Sequence, residues 1–212
     1  MDIQFAVKEV CREMSGPTVG GLKKLKRLAR YLINAPRADI EFDAEGDEAS
    51  IDVHTDSDWA GCRASRKSTS GGTVAWGGSA MKTWSRTQAS IALSVGEAEY
   101  YALVSAAAEA LGFRSLLKDL GCDAKIKVWT DSAAAKSIAS RKGIGKMRHL
   151  DVKYVWVQEM TRRRELQMKK VLGSANPADI MTKPKDRREI GRLTGVVKVR
   201  VRERKGEETK EE

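Results

Sequence analysis

Apolar residues recur every three to four positions at the start of the chain. Ile3, Val7, Val10, Cys11 and Met14 share one face of a helical period, and Ser15-Gly16-Pro17 ends the run. The pattern returns through Leu22, Leu25, Leu28, Ala29 and Leu32, with Lys23, Lys24, Lys26, Arg27 and Arg30 between them. This predicts a second helix, apolar on one side and basic on the other, that stops at Asn34-Ala35-Pro36. From Ser50 the period changes to two: Ile51, Val53 and Thr55 alternate with Asp52, His54 and Asp56, the signature of a half-buried strand. Two more strands, Gly72 to Trp76 and Ala80 to Ser85, are expected around a Gly77-Gly78-Ser79 turn.

The segment from Ser94 to Asp119 is rich in alanine and leucine, and Ser94 stands three residues before Glu97 as in a capping box, so a long helix is expected. After it come a strand over 125–130, a short helix over 132–140, a basic loop through Arg148, and a helix over 151–164. A strand over 166–171 and a short helix from Pro177 complete the pattern. A meander followed by alternating strands and helices predicts an α/β (mixed α+β) domain, a five-stranded mixed sheet flanked by helices.

With 212 residues the chain is long enough for one self-sustaining core, and 41% apolar with 32% charged residues excludes a collagen-like or wholly disordered chain. No window approaches the length of an apolar membrane span, and Met1 to Gln4 does not open a secretory signal, so an intracellular, non-secreted protein is expected. Three widely spaced cysteines and two histidines argue against disulfide frameworks or structural zinc. The net charge of +10 is uneven: −1 over 1–50, +8 over 51–184 and +3 over 185–212. A basic excess on the globular part suits a polyphosphate partner, and equally a merely solubilising surface. The end of the chain, RERKGEETKEE, reads as a disordered tail, although Val196 to Val201 alternate.

Four acids fall at element ends: Asp56 closes the first sheet strand, Glu99 lies in the first turns of the long helix, Asp131 closes the 125–130 strand and Asp179 opens the last helix. Hydrolysis of a phosphodiester by two divalent ions needs such carboxylates from separate elements, because each hard cation takes several oxygen ligands. Taken singly, each has a plainer role as turn acid, helix-face charge, N-cap or helix-dipole partner. Asp58 and Glu97 compete with their neighbours: on a strand Asp58 would keep the face of Asp56, whereas on a helix Glu97 points about 200° from Glu99 and fits the capping box.

Six segments then stand in order: TDSDWAG from Thr55, SRKSTSGG from Ser65, SVGEAEYYAL from Ser94, VWTDS from Val128, MRHLD from Met147 and NPADIMTKP from Asn176. Over residues 50–184 they resemble the ribonuclease H domain of copia-type LTR retrotransposon Pol polyproteins. Residues 1–36 look like the end of the preceding reverse transcriptase; 37–49 read as a linker and 185–212 as a charged, disordered tail. The resemblance implies a ribonuclease H-like fold and an endonuclease acting on the RNA strand of RNA–DNA hybrids. Asp56, Glu99, Asp131 and Asp179 would be its catalytic and metal-binding residues, holding two Mg²⁺ ions or Mn²⁺ in their place. His149 is a candidate for proton transfer or substrate contact, but Val155 stands where the family commonly has a second histidine. Arg66, Lys67, Ser68, Thr69, Lys146, Arg148 and Asn176 are candidate nucleic-acid contacts. Trp59 and Trp84 are either stacking platforms or core residues. The alternative is an inactive, domesticated remnant that binds nucleic acid or serves as structure. A domain cut from a polyprotein would expose the apolar faces of its first two helices.

Overall fold

The computed structural model describes residues 1–43, 46–143 and 154–204. A five-stranded sheet forms its centre, built from β2 (Ser50–Ser57), β3 (Thr69–Trp76), β4 (Ser79–Thr87), β5 (Lys125–Thr130) and β6 (Leu166–Lys170), in the order β4-β3-β2-β5-β6. The first three strands pair antiparallel, and β5 and β6 add in parallel beside β2. This is the expected mixed sheet. Its hairpin uses Gly77 and Gly78, both at positive φ (57° and 78°), the backbone that a two-residue turn needs to match strand twist.

Helix α3 (Val95–Asp119) covers the sheet. Its alanines and Tyr100, Leu103 and Val104 pack on Ile51, Val53, Val74, Ile126 and Val128, which are essentially inaccessible and form one core with Ala135, Ile138, Val157 and Leu166. Helices α4 (Ala133–Ser140) and α5 (Trp156–Arg162) follow β5, and the Ser132 hydroxyl caps α4 by accepting from the Ala135 amide at 3.1 Å. In place of the expected helix from Pro177 there is a single 3₁₀ turn over Pro177–Met181. Among the described residues, no helix is long and apolar enough to cross a membrane.

Two helices precede the sheet, α1 (Gln4–Cys11) and α2 (Val19–Asn34). Helix α1 docks on the domain: Gln4 Nε2 donates to the Thr83 carbonyl at 3.0 Å and Lys8 Nζ to Thr69 Oγ1 at 2.6 Å. On α2, Leu22, Leu25 and Ile33 remain about half exposed.

The expectation of disorder from residue 185 onward is corrected. Helix α6 (Arg187–Gly195) is capped by Asp186, and β7 (Val199–Arg202) pairs antiparallel with β1 (Arg37–Ile40). Charge hid the strand in the sequence, yet those charges are matched across it. Arg202 meets Asp39 at 2.6 Å, Arg200 meets Glu41 at 2.9 Å, and Val197 and Val199 bury against Ala75 and Ala80.

Candidate active site

The parallel register of β2 and β5 aligns Thr55 with Thr130, so the next residues, Asp56 and Asp131, stand side by side where that pairing ends, Asp56 still paired with Gly71 of β3. Glu99 is delivered by the first turns of α3, whose start is fixed by Ser94 accepting from the Glu97 amide at 3.2 Å. One carboxylate oxygen from each of Asp56, Glu99 and Asp131 lies within 4.8 Å of the other two. Asp56 and Glu99 are 2% and 6% exposed, and Glu99 Oε2 is buried with no hydrogen-bond partner.

Negative groups so placed resist ionisation. Burial, and then the charges of Asp56 and Asp131, push Glu99 up to about 9. Burial raises Asp56 to about 6, against the opposing charge of Lys183 and a hydrogen bond from Thr182. Three hard oxygen donors with an unsatisfied buried acceptor among them are the chemistry of a divalent-cation site, since a cation would satisfy that oxygen and relieve the repulsion. The residues present therefore fit Mg²⁺ or Mn²⁺.

Asp179 stands beside this trio rather than within it. Its Oδ1 is 2.5 Å from Lys183 Nζ and its Oδ2 is 2.7 Å from Lys185 Nζ; burial alone would raise its pKa, but the two ammonium groups outweigh burial and hold it below the ordinary range. Lys183 Nζ also lies 3.8 Å from Asp56 Oδ2, to which the Thr182 hydroxyl donates. The fourth acid is thus joined to the first through lysine. The NPADIMTKP segment supplies Asn176 as a cap, accepting from the Ala178 amide at 3.2 Å while donating to the Thr55 carbonyl at 3.0 Å. That second bond ties the segment to the strand that carries Asp56.

Glu97 is turned away from the cluster, as expected. Its carboxylate reaches back to the Leu93 amide at 3.0 Å, one residue before the N-cap, and accepts from the Tyr101 hydroxyl. Asp58 accepts from the Thr69 amide and lies outside the trio. His54 stacks on Trp129 with ring centroids 5.9 Å apart, and burial pushes it down to about 4.

Sequence reasoning missed Gln88, Thr182, Lys183 and Lys185. Gln88 Nε2 donates to Ser57 Oγ at 3.2 Å, Ser70 Oγ at 2.9 Å and the Ala98 carbonyl at 2.8 Å, joining residues adjacent to Asp56 and Glu99. Its only signal was a lone amide between a strand and a capping box. The lysines' signal was their position four and six residues after Asp179.

Among the candidate nucleic-acid contacts, Arg66 is exposed and Lys67 partly so. Ser68, Thr69 and Asn176 are buried, and their side chains bond the protein itself. Ser68 Oγ accepts from the Ala60 amide at 2.9 Å, Thr69 Oγ1 accepts from Lys8, and Asn176 bonds backbone on both sides. Trp84 is core, 3% exposed, whereas Trp59 is half exposed with its indole N–H on the Ala92 carbonyl at 3.1 Å. Lys146, Arg148 and His149 lie outside the described residues.

No family model matches the chain. Over 89% of its length it is 31% identical to the retrovirus-related Pol polyprotein from transposon TNT 1-94 of Nicotiana tabacum, and over 88% it is 29% identical to that from transposon RE1 of Arabidopsis thaliana. It spans only 14% and 13% of those relatives. Among solved structures, the LC11 ribonuclease H1 isolated from compost superposes with a TM-score of 0.49 at 20% identity, covering 63% of this chain and 93% of that one.

Proposed function

Because the chain belongs to the retrovirus-related Pol polyproteins of transposons, as their ribonuclease H domain, we propose that it is an endonuclease hydrolysing the RNA strand of RNA–DNA hybrids with two divalent metal ions. The observation that carries the reading is the meeting of Asp56, Glu99 and Asp131 within 4.8 Å around an unpartnered Glu99 oxygen. A divalent cation would supply the partner that this buried carboxylate oxygen lacks.

In this reading Asp56, Glu99 and Asp131 hold the first cation, and Asp179 with Asp56 supplies ligands for the second. Mg²⁺ or Mn²⁺ bound there would lower the pKa of attacking water and neutralise charge on the phosphate and the leaving 3′ oxygen. The chain's own groups do the rest. Thr182 and Asn176 fix the Asp56 strand end against the Asp179 turn, Gln88 sets the start of α3 against β2 and β3, and Arg66 and Lys67 attract the phosphate backbone. His149, Lys146 and Arg148 remain candidates for proton transfer and backbone contact. Residues 50–184 form the nuclease unit and residues 1–36 continue from the reverse transcriptase.

The reading is tested with hybrids labelled on either strand, beside duplex DNA and duplex RNA, in Mg²⁺ and in EDTA. Cleavage of the RNA strand of the hybrid alone, abolished by EDTA, is expected. Uncleaved hybrid under saturating binding would instead favour the inactive, nucleic-acid-binding remnant.

A further inference from the structure

We propose that the Lys183 ammonium is a built-in counter-ion for the Asp56–Asp179 half of the acidic cluster, and that a second divalent cation binds there only by displacing it. Resting on the metal-binding reading above, this divides the four acids into an open half and an occupied half.

The oxygens are supplied unequally. On the Asp179 side, Oδ1 takes Lys183 at 2.5 Å and Oδ2 takes Lys185 at 2.7 Å. Asp56 Oδ2 receives the Thr182 hydroxyl and lies 3.8 Å from the same Lys183 Nζ. On the other side, Glu99 Oε2 is buried without a partner, and among the described residues no ammonium pairs with the Glu99 or Asp131 carboxylate, the Lys170 ammonium reaching only the Asp131 backbone carbonyl.

The two lysines differ in what it takes to move them. Lys185 is held between Asp179 and Glu189, at 2.7 and 3.0 Å, with its side chain 16% exposed. The Lys183 side chain is 46% exposed on a flexible four-carbon stem, so its ammonium can swing into water at small cost. An ammonium bridging Asp179 and Asp56 excludes a second cation by charge and by volume. Once Lys183 leaves, Lys185 still neutralises one Asp179 oxygen. The first cation therefore binds at Asp56, Glu99 and Asp131, and the second binds more weakly, in competition with Lys183.

Calorimetric titration of the whole chain with Mn²⁺ tests this without reference to activity. The wild type should show two separated binding steps, and Lys183→Ala should tighten the second by about tenfold or more while changing the first by a smaller factor, because a like charge within a few ångströms has gone. Lys183→Gln, which keeps a hydrogen-bond donor for Asp179, should do the same, and it carries the test should the alanine variant fail to fold. Lys183→Arg should keep the wild-type pattern. An unchanged or weakened second step in Lys183→Gln would overturn the inference while leaving the metal reading intact. Absence of any Mn²⁺ binding by the wild type would overturn both.

Discussion

Gly71 lies directly opposite Asp56 in the antiparallel pair of β2 and β3, and a Cβ on it would sit 2.5 Å from Met181 Cβ and 2.7 Å from Thr182 Cγ2. The missing side chain is what lets the turn carrying Asp179 and Thr182 lie against the strand carrying Asp56. Gly71→Ala is therefore expected to push that turn away, at an overpacking cost of about 1–3 kcal/mol. Urea unfolding should show the loss and Mn²⁺ titration a weakened second step. Gly191→Ala, at a position in α6 with nothing within 4 Å, should leave stability unchanged or slightly raised.

Glu99 sets a pH dependence of metal-free stability. Its folded pKa of about 9 lies above the ordinary 4.5, so the unfolded chain loses this proton first as pH rises. Its favourable contribution is complete below about 4.5 and is lost progressively up to about 9. Asp179 acts with the opposite sign, since its lowered pKa adds stability at neutral pH that is lost in acid. Glu99→Gln isolates the first effect. In EDTA the variant should gain stability relative to wild type as pH climbs from 5 to 9, read as midpoint shifts in urea, and added Mn²⁺ should stabilise wild type far more than the variant.

Asn176 is expected to matter for folding rather than for contact with nucleic acid. It is fully buried and bonds the Thr55 carbonyl and the Ala178 amide, so Asn176→Ala leaves a carbonyl and an amide unpaired at about 1–3 kcal/mol. Hybrid affinity measured well below the unfolding midpoint should keep its wild-type dependence on salt. A reduced salt dependence would mean that Asn176 touches the backbone after all.

Arg66 and Lys67 should behave in the converse way. Replacing both with alanine should weaken hybrid binding, make it less salt-sensitive by about two counter-ions, and leave the turnover of saturated substrate and the unfolding midpoint unchanged.

Much of this architecture is legible in the sequence because it is encoded locally. The alternation from Ile51 to Asp56, the pairing of Ser94 with Glu97 and the glycines at 77 and 78 each point to one backbone, and together they bring Asp56, Glu99 and Asp131 to one end of the sheet. What escapes local reading depends on partners far along the chain. Val197 and Val199 look like part of a charged tail until the fold brings Asp39 and Glu41 into ion pairs with Arg202 and Arg200. Ser68, Thr69 and Asn176 have side chains equally suited to a phosphate or to a buried amide, and only tertiary position turns them inward. Asp179 belongs by type with the other acids, yet the lysines four and six residues on set it apart.

Asp131, with Asp56 and Glu99, is proposed to hold the ion on which RNA cleavage depends, and Asp131→Asn removes that ligand charge while keeping the side chain's size. RNA cleavage and hybrid affinity should be measured side by side in Mg²⁺. Cleavage should be lost while affinity stays close to wild type. Retained cleavage in the variant would mean that Asp131 holds no ion the reaction needs.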